Sequence, residues 1–430
     1  MTTPRVSLIV LVLLSGFPGA SVAQTVDDLF NPAALTDIRL ALHSSDWQAL
    51  KTNFLSNTYY PTDLTWAGVT VRNVGIRSRG RGSRSAGKPG LRVDFDRYAM
   101  GQRFLGTKSI ILDNLTQDPS MMKEVLSMNL FTRLGLPAPR EAFVRLYVNN
   151  TLVGLYAVVE SIDKQFLERM FGQDGGNLFE YDYSIDYNFE YLGSDLGPYS
   201  TLFSAKTNET HSTFDLYDAI ERMIRTANQT ADGALEGALA PFLDLATFMR
   251  HVAVESFLAE NDGWLGYAGM NNFYMYQFKN LSQFQVITWD KDNAFFQPDF
   301  PLFMRADRNV LVRRALTIPA ARQAYLNGAI AAADSAAEGQ VGADGSTGWL
   351  AREVERLYAL IRPAALEDVS KPYSSADFEA AVGGLRTFAR VRSGFVRCEV
   401  ANQSRAPQAC AVAASPAAVA GSPRRSTDAH

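Results

Sequence analysis

Two stretches in the middle of the chain place acidic and amide side chains within apolar, strand-like sequence. The first, AENDGWLGYAGMNNFYMYQF, contains Asp262 and Asn272, and the second, FQVITWDKDNAFF, contains Asp290 and Asp292. Carboxylate and amide groups are costly to bury unless a partner compensates them. These residues therefore either cap strand ends and turns as structural polar groups or provide the oxygen ligands that a divalent metal ion prefers.

The spacing of these residues predicts that they meet at one edge of a sheet. Asn272 begins the strand-like NFYMYQF and Asp290 ends FQVITWD, and the short connection KNLS makes the two strands antiparallel neighbours. Asp262 follows the apolar helical stretch LATFMRHVAVESFLAEN, on the loop that leads into this hairpin. An Asp that receives the proton of an acceptor hydroxyl, beside an Asn and an Asp that hold metal ions, is the arrangement of a kinase site.

The N-terminal half offers groups that could contact phosphates. VTVRNVGIRSRG and GLRVDFDRY alternate apolar and polar residues around a Gly- and Arg-rich bend, which predicts a β-hairpin. Lys88 and Arg92 lie on its return side, and Glu124, on the helix predicted for PSMMKEVLSMNLFTRLG, could orient one of these cations. Alternatively, all three are solvated surface residues, as most charged side chains are.

Other chemistries find little support in the sequence. No two of the four histidines lie at zinc-ligand spacing, and the motifs H-E-x-x-H, C-x-x-C, G-x-S-x-G and G-x-x-x-x-G-K-[ST] are absent. The net charge of −4 argues against a nucleic-acid-binding protein, which usually carries a basic domain or stripe.

The two ends of the chain indicate export. Residues 1–23 combine a basic Arg5, a short apolar run and the small-residue site Ser21-Val22-Ala23, which predicts a signal peptide and a secreted, periplasmic or extracellular protein. No later stretch is apolar for long enough to span a membrane. Cys398 and Cys410 are expected to form a disulfide in such a compartment. Residues 401–430 are then predicted to be a turn closed by this disulfide, followed by a disordered tail.

The order of predicted elements favours an α+β fold with two lobes. A β-rich N-lobe at about 35–160 contains one long helix and a second hairpin, FVRLYVNNTLVGLYAVVES, that turns at Asn149-Asn150. A helix-rich C-lobe follows at about 161–400 and carries the acidic hairpin. Residues 174–235 are predicted to be a loop-rich insertion with some helix.

Several segments, in this order, resemble the spore coat protein H (CotH) kinase family: IRSRGRGSRSAGKPGLRVDFD, DPSMMKEVLSMNLFTRLGLPAPREAFVRLYVNNTLVGLYAVVESIDKQFLERMFG, ENDGW, NNFYMYQF and ITWDKDNAFF. The resemblance covers roughly residues 70–300. It implies an atypical protein-kinase-like fold, here over residues 24–400, that transfers the γ-phosphoryl group of ATP to Ser or Thr of partner proteins with Mg²⁺ or Mn²⁺.

The resemblance also implies roles for individual residues. Asp262 matches the catalytic-loop Asp, and Asn272 and Asp290, with Asp292 beside them, match the metal-holding residues. Gly263 stands where the family often has Arg, and Asn271 where it often has His.

For the nucleotide, the resemblance implies that Lys88 or Arg92 contacts phosphate. Glu124 would orient that cation, and the backbone from Glu160 to Ile162 would face adenine. The main alternative function is a catalytically inactive surface- or matrix-binding protein on the same fold. A second alternative is a kinase with a sugar or another small molecule as its acceptor.

Overall fold

The structure is a computed structural model that describes residues 24–339, 348–403 and 410. The predicted signal peptide and most of the predicted tail lie outside these residues. The strands are β1 (Thr36–Ala41), β2 (Tyr60–Trp66), β3 (Val69–Ser78), β4 (Leu91–Asp94), β5 (Ser109–Asp113), β6 (Glu141–Val148), β7 (Thr151–Glu160), β8 (Asn177–Tyr181), β9 (Phe203–Ala205), β10 (Phe273–Gln277) and β11 (Phe284–Thr288). The helices are α1 (Val26–Leu29), α2 (Ser44–Thr52), α3 (Lys123–Arg133), α4 (Lys164–Phe171), α5 (Gly197–Leu202), α6 (Thr213–Gln229), α7 (Leu235–Leu239), α8 (Leu245–Phe257), α9 (Val310–Ala315), α10 (Pro319–Ala337), α11 (Trp349–Glu367) and α12 (Ser375–Asn402), with a 3₁₀ turn at Asp232–Ala234.

The first seven strands form a closed barrel in the order β1-β2-β3-β4-β5-β7-β6. Both predicted hairpins, β3–β4 and β6–β7, are present as antiparallel pairs. Strand β1 closes the barrel because it pairs antiparallel with β2 and parallel with β6. The alternating pattern predicts the local hairpins, but it contains no signal for this closing pair, which joins strands more than 100 residues apart.

Alternate positions along the barrel strands contribute apolar residues to two different hydrophobic cores, one inside the barrel and one outside it. Leu91, Val93 and Ile110 are fully buried inside the barrel. Neighbouring positions such as Ile111 and Val159 face outward and belong to a larger core that also includes the helices and the second sheet. The chain is therefore a mixed α+β protein in which the outer face of the barrel is itself a packing surface.

The second sheet has the order β11-β10-β8-β9. Strand β8, and with it β9, lies within residues 174–235, which the sequence predicts to be a loop-rich insertion. Because β8 pairs with β10 over Tyr274 to Gln277, this part of the chain is integral to the sheet that carries the acidic hairpin. With only five residues, NLFEY, strand β8 is too short to be identified from its hydrophobic periodicity, since its pairing partner β10 is distant in sequence.

The helices support the second sheet and complete the larger core. Helix α8 is buried on most of its surface, as its apolar sequence predicts, and packs closely against α10. Helix α12 ends near the disulfide between Cys398 and Cys410, which confirms that predicted bridge. Within the described residues, none of the helices is long and apolar enough to cross a membrane.

Candidate active site

Asp262 lies on the loop that follows α8, with its carboxylate held by two amides. The side-chain amides of Asn271 and Asn272 donate to its Oδ2 at 3.2 and 3.3 Å. Asn272 also donates to the Asp262 carbonyl at 3.0 Å, and the Asp262 N–H donates to Glu260 Oε1 at 2.7 Å. These bonds fix the direction of a largely buried carboxylate.

The β10–β11 hairpin brings Asn272 and Asp290 to the same end, as predicted. Phe273 pairs with Thr288, so Asn272 precedes one strand where Asp290 follows the other. Both residues have left-handed backbones, with φ of 58° and 49°, which Asn and Asp tolerate better than most residues. The structure therefore brings Asp262, Asn272 and Asp290 together, with Asp292 two residues further on.

The barrel contributes two residues to this site that the sequence interpretation missed. Arg79 follows β3 and Asp113 ends β5, with Arg79 Nη1 3.4 Å from Asp113 Oδ2. Burial lowers the pKa of Arg79, but the negative charges of Asp113 and Asp290 outweigh that effect and raise it. Asp113 ends the apolar strand SIILD just as Asp290 follows FQVIT, so the same pattern could have identified it.

Two glutamates lie buried beside these acids. Burial raises the pKa of Glu124 well above its usual range, and the nearby Glu141 and Asp113 raise it further. Burial and Asp113 also raise the pKa of Glu141 well above its usual range, and a side-chain hydrogen bond with Glu124 opposes them only in part. Glu124 therefore lies in an acidic cluster, which is a different environment from the predicted ion pair with Lys88 or Arg92.

The acids of the hairpin have raised pKa values for the same reason. Burial and Asp113 raise the pKa of Asp290 to about 6, despite the opposing charge of Arg79. Burial and the neighbouring Asp290 raise the pKa of Asp292 well above its usual range. This group of acids thus concentrates more negative charge than the neighbouring cations compensate, which is an environment that attracts a divalent cation.

The structure places Lys88 away from open phosphate contact. Its side chain is 1% exposed and its Nζ lies 2.7 Å from Asp368 Oδ2, so a phosphate could reach it only by displacing this carboxylate. Arg92 projects from β4 and donates from Nη2 to Ser109 Oγ at 3.1 Å. Of the basic residues near the hairpin acids, Arg79 has the clearest electrostatic contact with Asp290.

The predicted adenine segment is already engaged by other groups. The Glu160 N–H donates to the Arg140 carbonyl at 2.9 Å, and its carboxylate pairs with Arg140 at 2.7 Å and Arg169 at 2.5 Å. Ile162 is buried in the larger core. A cavity of about 300 Å³ adjoins this segment and is lined partly by Glu160, Ser161 and Arg169.

No group of three or more His, Cys, Asp or Glu side chains within the described ranges is arranged to hold a metal ion. A cation at Asp290 and Asp292 would thus complete its shell with water or substrate oxygens. Mg²⁺ commonly binds in this way, through one or two protein carboxylates and the phosphates of a nucleotide.

Comparison of the sequence with known proteins identifies the family of this chain. Residues 76–396 match the CotH family, described as CotH kinase protein. The chain is 24% identical over 360 residues to the inner spore coat protein H of Bacillus subtilis, covering 81% of this chain and 92% of that protein. It is 25% identical over 174 residues to the invasin CotH3 of Rhizopus delemar, covering 39% of this chain and 28% of the invasin. Because the family match extends over most of its length, this chain belongs to the CotH kinase family.

Proposed function

We propose that this protein is an exported kinase that transfers the γ-phosphoryl group of ATP to Ser or Thr of a partner protein. The observation that supports it most directly is the pairing of an amide-held Asp262 with a separate group of acids whose pKa values are raised. In this proposal the carboxylate of Asp262, oriented by two amides, accepts the proton, while the raised pKa values of Asp290 and Asp292 indicate that these acids lack enough positive charge until a cation binds. This division of roles is the one that phosphoryl transfer requires.

Each group has a distinct role in this proposal. Asp262 orients the acceptor hydroxyl, whose oxygen bonds to the γ-phosphorus as the bond to the β–γ bridging oxygen breaks and the proton passes to the carboxylate. Asp290, Asp292 and Asn272 would hold Mg²⁺ or Mn²⁺, which supplies positive charge to the phosphate oxygens. Arg79 adds a fixed cation from the barrel, so the nucleotide would lie between the barrel and the second sheet as it does between the lobes of a kinase.

Export is part of the proposal because of the N-terminal sequence and the relatives. The first residues have the pattern of a signal peptide, and the Cys398–Cys410 disulfide suits an oxidising compartment. The similar proteins are named as a spore coat protein and as invasins.

Phosphate transfer to protein tests the proposal. Protein from residue 24 onward is incubated with γ-labelled ATP, Mg²⁺ or Mn²⁺, and both acidic and basic acceptor proteins. Asp262→Asn and Asp290→Asn are each expected to reduce labelling at least about 100-fold, since each removes a charge needed in the transition state. Asp244→Asn is the matched control, because Asn also serves as an N-cap at the far end of α8.

The competing function is a binding protein without catalysis. It is favoured by two relatives that are named invasins and by Lys88 being enclosed in an ion pair. Absence of label on every acceptor, together with no shift of the melting temperature on adding Mg²⁺ and ATP, would support this alternative. Consumption of ATP without labelled protein would instead point to a small-molecule acceptor.

A further inference from the structure

Glu255, near the end of α8, contacts two of the segments that form the site. Its side chain is almost fully buried. One carboxylate oxygen, Oε2, accepts the Trp264 N–H at 2.8 Å, two residues after Asp262. The other, Oε1, lies 2.9 Å from Lys291 Nζ, between Asp290 and Asp292 in the chain. One rigid helix thus holds the Asp262 loop and the end of β11 through a single carboxylate.

Lys291 extends this connection to the third segment. Its side chain is completely buried, and its Nζ donates to the Asn272 carbonyl at 2.9 Å. The contacts therefore run from Trp264 to Glu255, from Glu255 to Lys291, and from Lys291 to Asn272. Each of the three segments that carry Asp262, Asn272 and Asp290 is a direct part of this chain of contacts.

Gly263 shows how closely Glu255 approaches the Asp262 loop. A Cβ at this position would lie 2.5 Å from Glu255 Oε2, which is nearer than side-chain carbons and oxygens approach. The absence of a side chain at Gly263 therefore leaves room for the buried carboxylate of Glu255. The glycine and the Glu255 contact are two parts of the same local arrangement.

The buried ion pair between Glu255 and Lys291 is better suited to fixing the positions of the site segments than to adding stability. Buried ion pairs often contribute little net stability, because removing both charges from water offsets their attraction. Their directional contacts nevertheless specify where the attached backbone lies. Burial favours the neutral form of Glu255, yet Lys291 and His251 hold its pKa at about 2, so the carboxylate stays ionised.

We propose that Glu255 and Lys291 are positioning residues that set the mutual placement of Asp262, Asn272 and Asp290. This inference deepens the proposed function and depends on it only for the catalytic readout. Neither side chain needs to touch substrate. Their effect is to keep the proton acceptor and the two metal-holding residues in one fixed arrangement.

Three variants separate positioning from stability. Lys291→Met removes the cation and leaves the Glu255 carboxyl group buried without it, and Glu255→Gln keeps an acceptor for Trp264 but removes the charge. The double variant removes both charges, so it is expected to regain most of the stability that Lys291→Met loses. Because the contact with the Asn272 carbonyl is still absent, kcat should stay about 100-fold low while KM for ATP changes less.

The control is Arg392→Met. Arg392 is buried and donates to carbonyls at the end of the same helix and in residues 298–300, without a hydrogen bond to the three site segments. This variant should lower stability yet leave kcat of the folded protein within about twofold of the wild type, since the site contacts remain.

Backbone hydrogen exchange provides a readout that needs no catalysis. Amides in residues 271–273 and 290–293 should exchange faster in Lys291→Met and in the double variant than in wild type or Arg392→Met. Unchanged exchange there, or a kcat that recovers together with stability in the double variant, would overturn the inference. If wild-type protein transfers no phosphate, the proposed function fails, and the exchange pattern still decides whether the pair holds the segments.

Discussion

At the scale of single residues, the site depends on the protonation of groups that a sequence shows only as letters. Glu260 is buried, and its Oε1 accepts the N–H of Asp262 at 2.7 Å. Burial raises its pKa to about 8, and the positive charge of Lys291 reduces this effect without cancelling it. The carboxyl group that supports the proposed proton acceptor is thus largely protonated at neutral pH.

The raised pKa of Glu260 predicts a pH dependence of stability. Its folded-state pKa lies above the ordinary value of 4.5, so its contribution is complete below about pH 4.5 and is lost as pH rises towards 8. Glu260→Gln should therefore reduce the fall in the free energy of unfolding between pH 5 and pH 8. The reduction should be a few kcal/mol, as follows from about 1.4 kcal/mol per pKa unit.

Urea unfolding of both proteins at the two pH values, without added metal, measures this effect. The difference between them isolates Glu260, because Glu124, Glu141 and Asp292 also have raised pKa values and act in the same direction in both proteins. An equal fall in wild type and variant would show that Glu260 does not titrate in this range.

At the scale of elements, α8 is positioned by its contact with α10. At Gly328 the two helices approach so closely that an added Cβ would lie 3.0 Å from the Ala253 Cβ and 3.1 Å from the Arg250 Cα. Helix α8 leads directly into the Asp262 loop, so its packing determines where that loop begins. Glycine is therefore required at position 328, because α8 and α10 pack too closely there to accommodate a side chain.

Opposite effects are expected for substitutions at two helical glycines. Gly328→Val should destabilise the protein by about 2 kcal/mol, since it overpacks the contact between α8 and α10. Gly383→Ala, in α12, meets no atom within 4 Å and should stabilise by about 0.5–1 kcal/mol through helix propensity alone. Thermal unfolding followed by circular dichroism measures both, and a loss of stability at each position would contradict this account.

At the scale of the whole molecule, a buried ion pair joins the barrel to the C-terminal helices. Asp368, just after α11, pairs with Lys88 and accepts the Leu155 N–H of β7 at 3.0 Å. Gly154 makes room for this carboxylate, because a Cβ there would lie 2.5 Å from Asp368 Oδ2. Asp368 thus holds the C-terminal helices against the barrel, although its partners are far away in sequence.

Lys88→Met is expected to destabilise the whole protein. It leaves the Asp368 carboxylate buried without its cation, which typically costs about 3–5 kcal/mol. Lys88→Met combined with Asp368→Asn should recover part of that loss, because no uncompensated charge remains. Urea unfolding measures both variants. A large loss of ATP affinity in Lys88→Met with unchanged stability would instead return Lys88 to the phosphate site that the family resemblance implies.

Local patterns in the sequence are enough to predict several strands and helices and the closeness of two site residues. Hairpins β3–β4, β6–β7 and β10–β11 follow from alternating patterns on either side of short or Gly-rich connections, and helix α3 follows from its periodicity. The closeness of Asn272 and Asp290 follows from the same reasoning, since a short turn leaves adjacent strand ends together. These features depend on residues near one another in the chain.

Which charged groups share an environment depends instead on long-range packing, which the sequence patterns do not show. Closure of the barrel by β1 and β6, and the addition of β8 to the second sheet, depend on partners far away in sequence. The same long-range packing brings Arg79 and Asp113 to Asp290 and encloses Lys88 with Asp368. The residue type shows that a side chain can carry charge. Burial and distant neighbours determine whether that side chain contacts a substrate, becomes neutral by a change in protonation, or forms an ion pair within the fold.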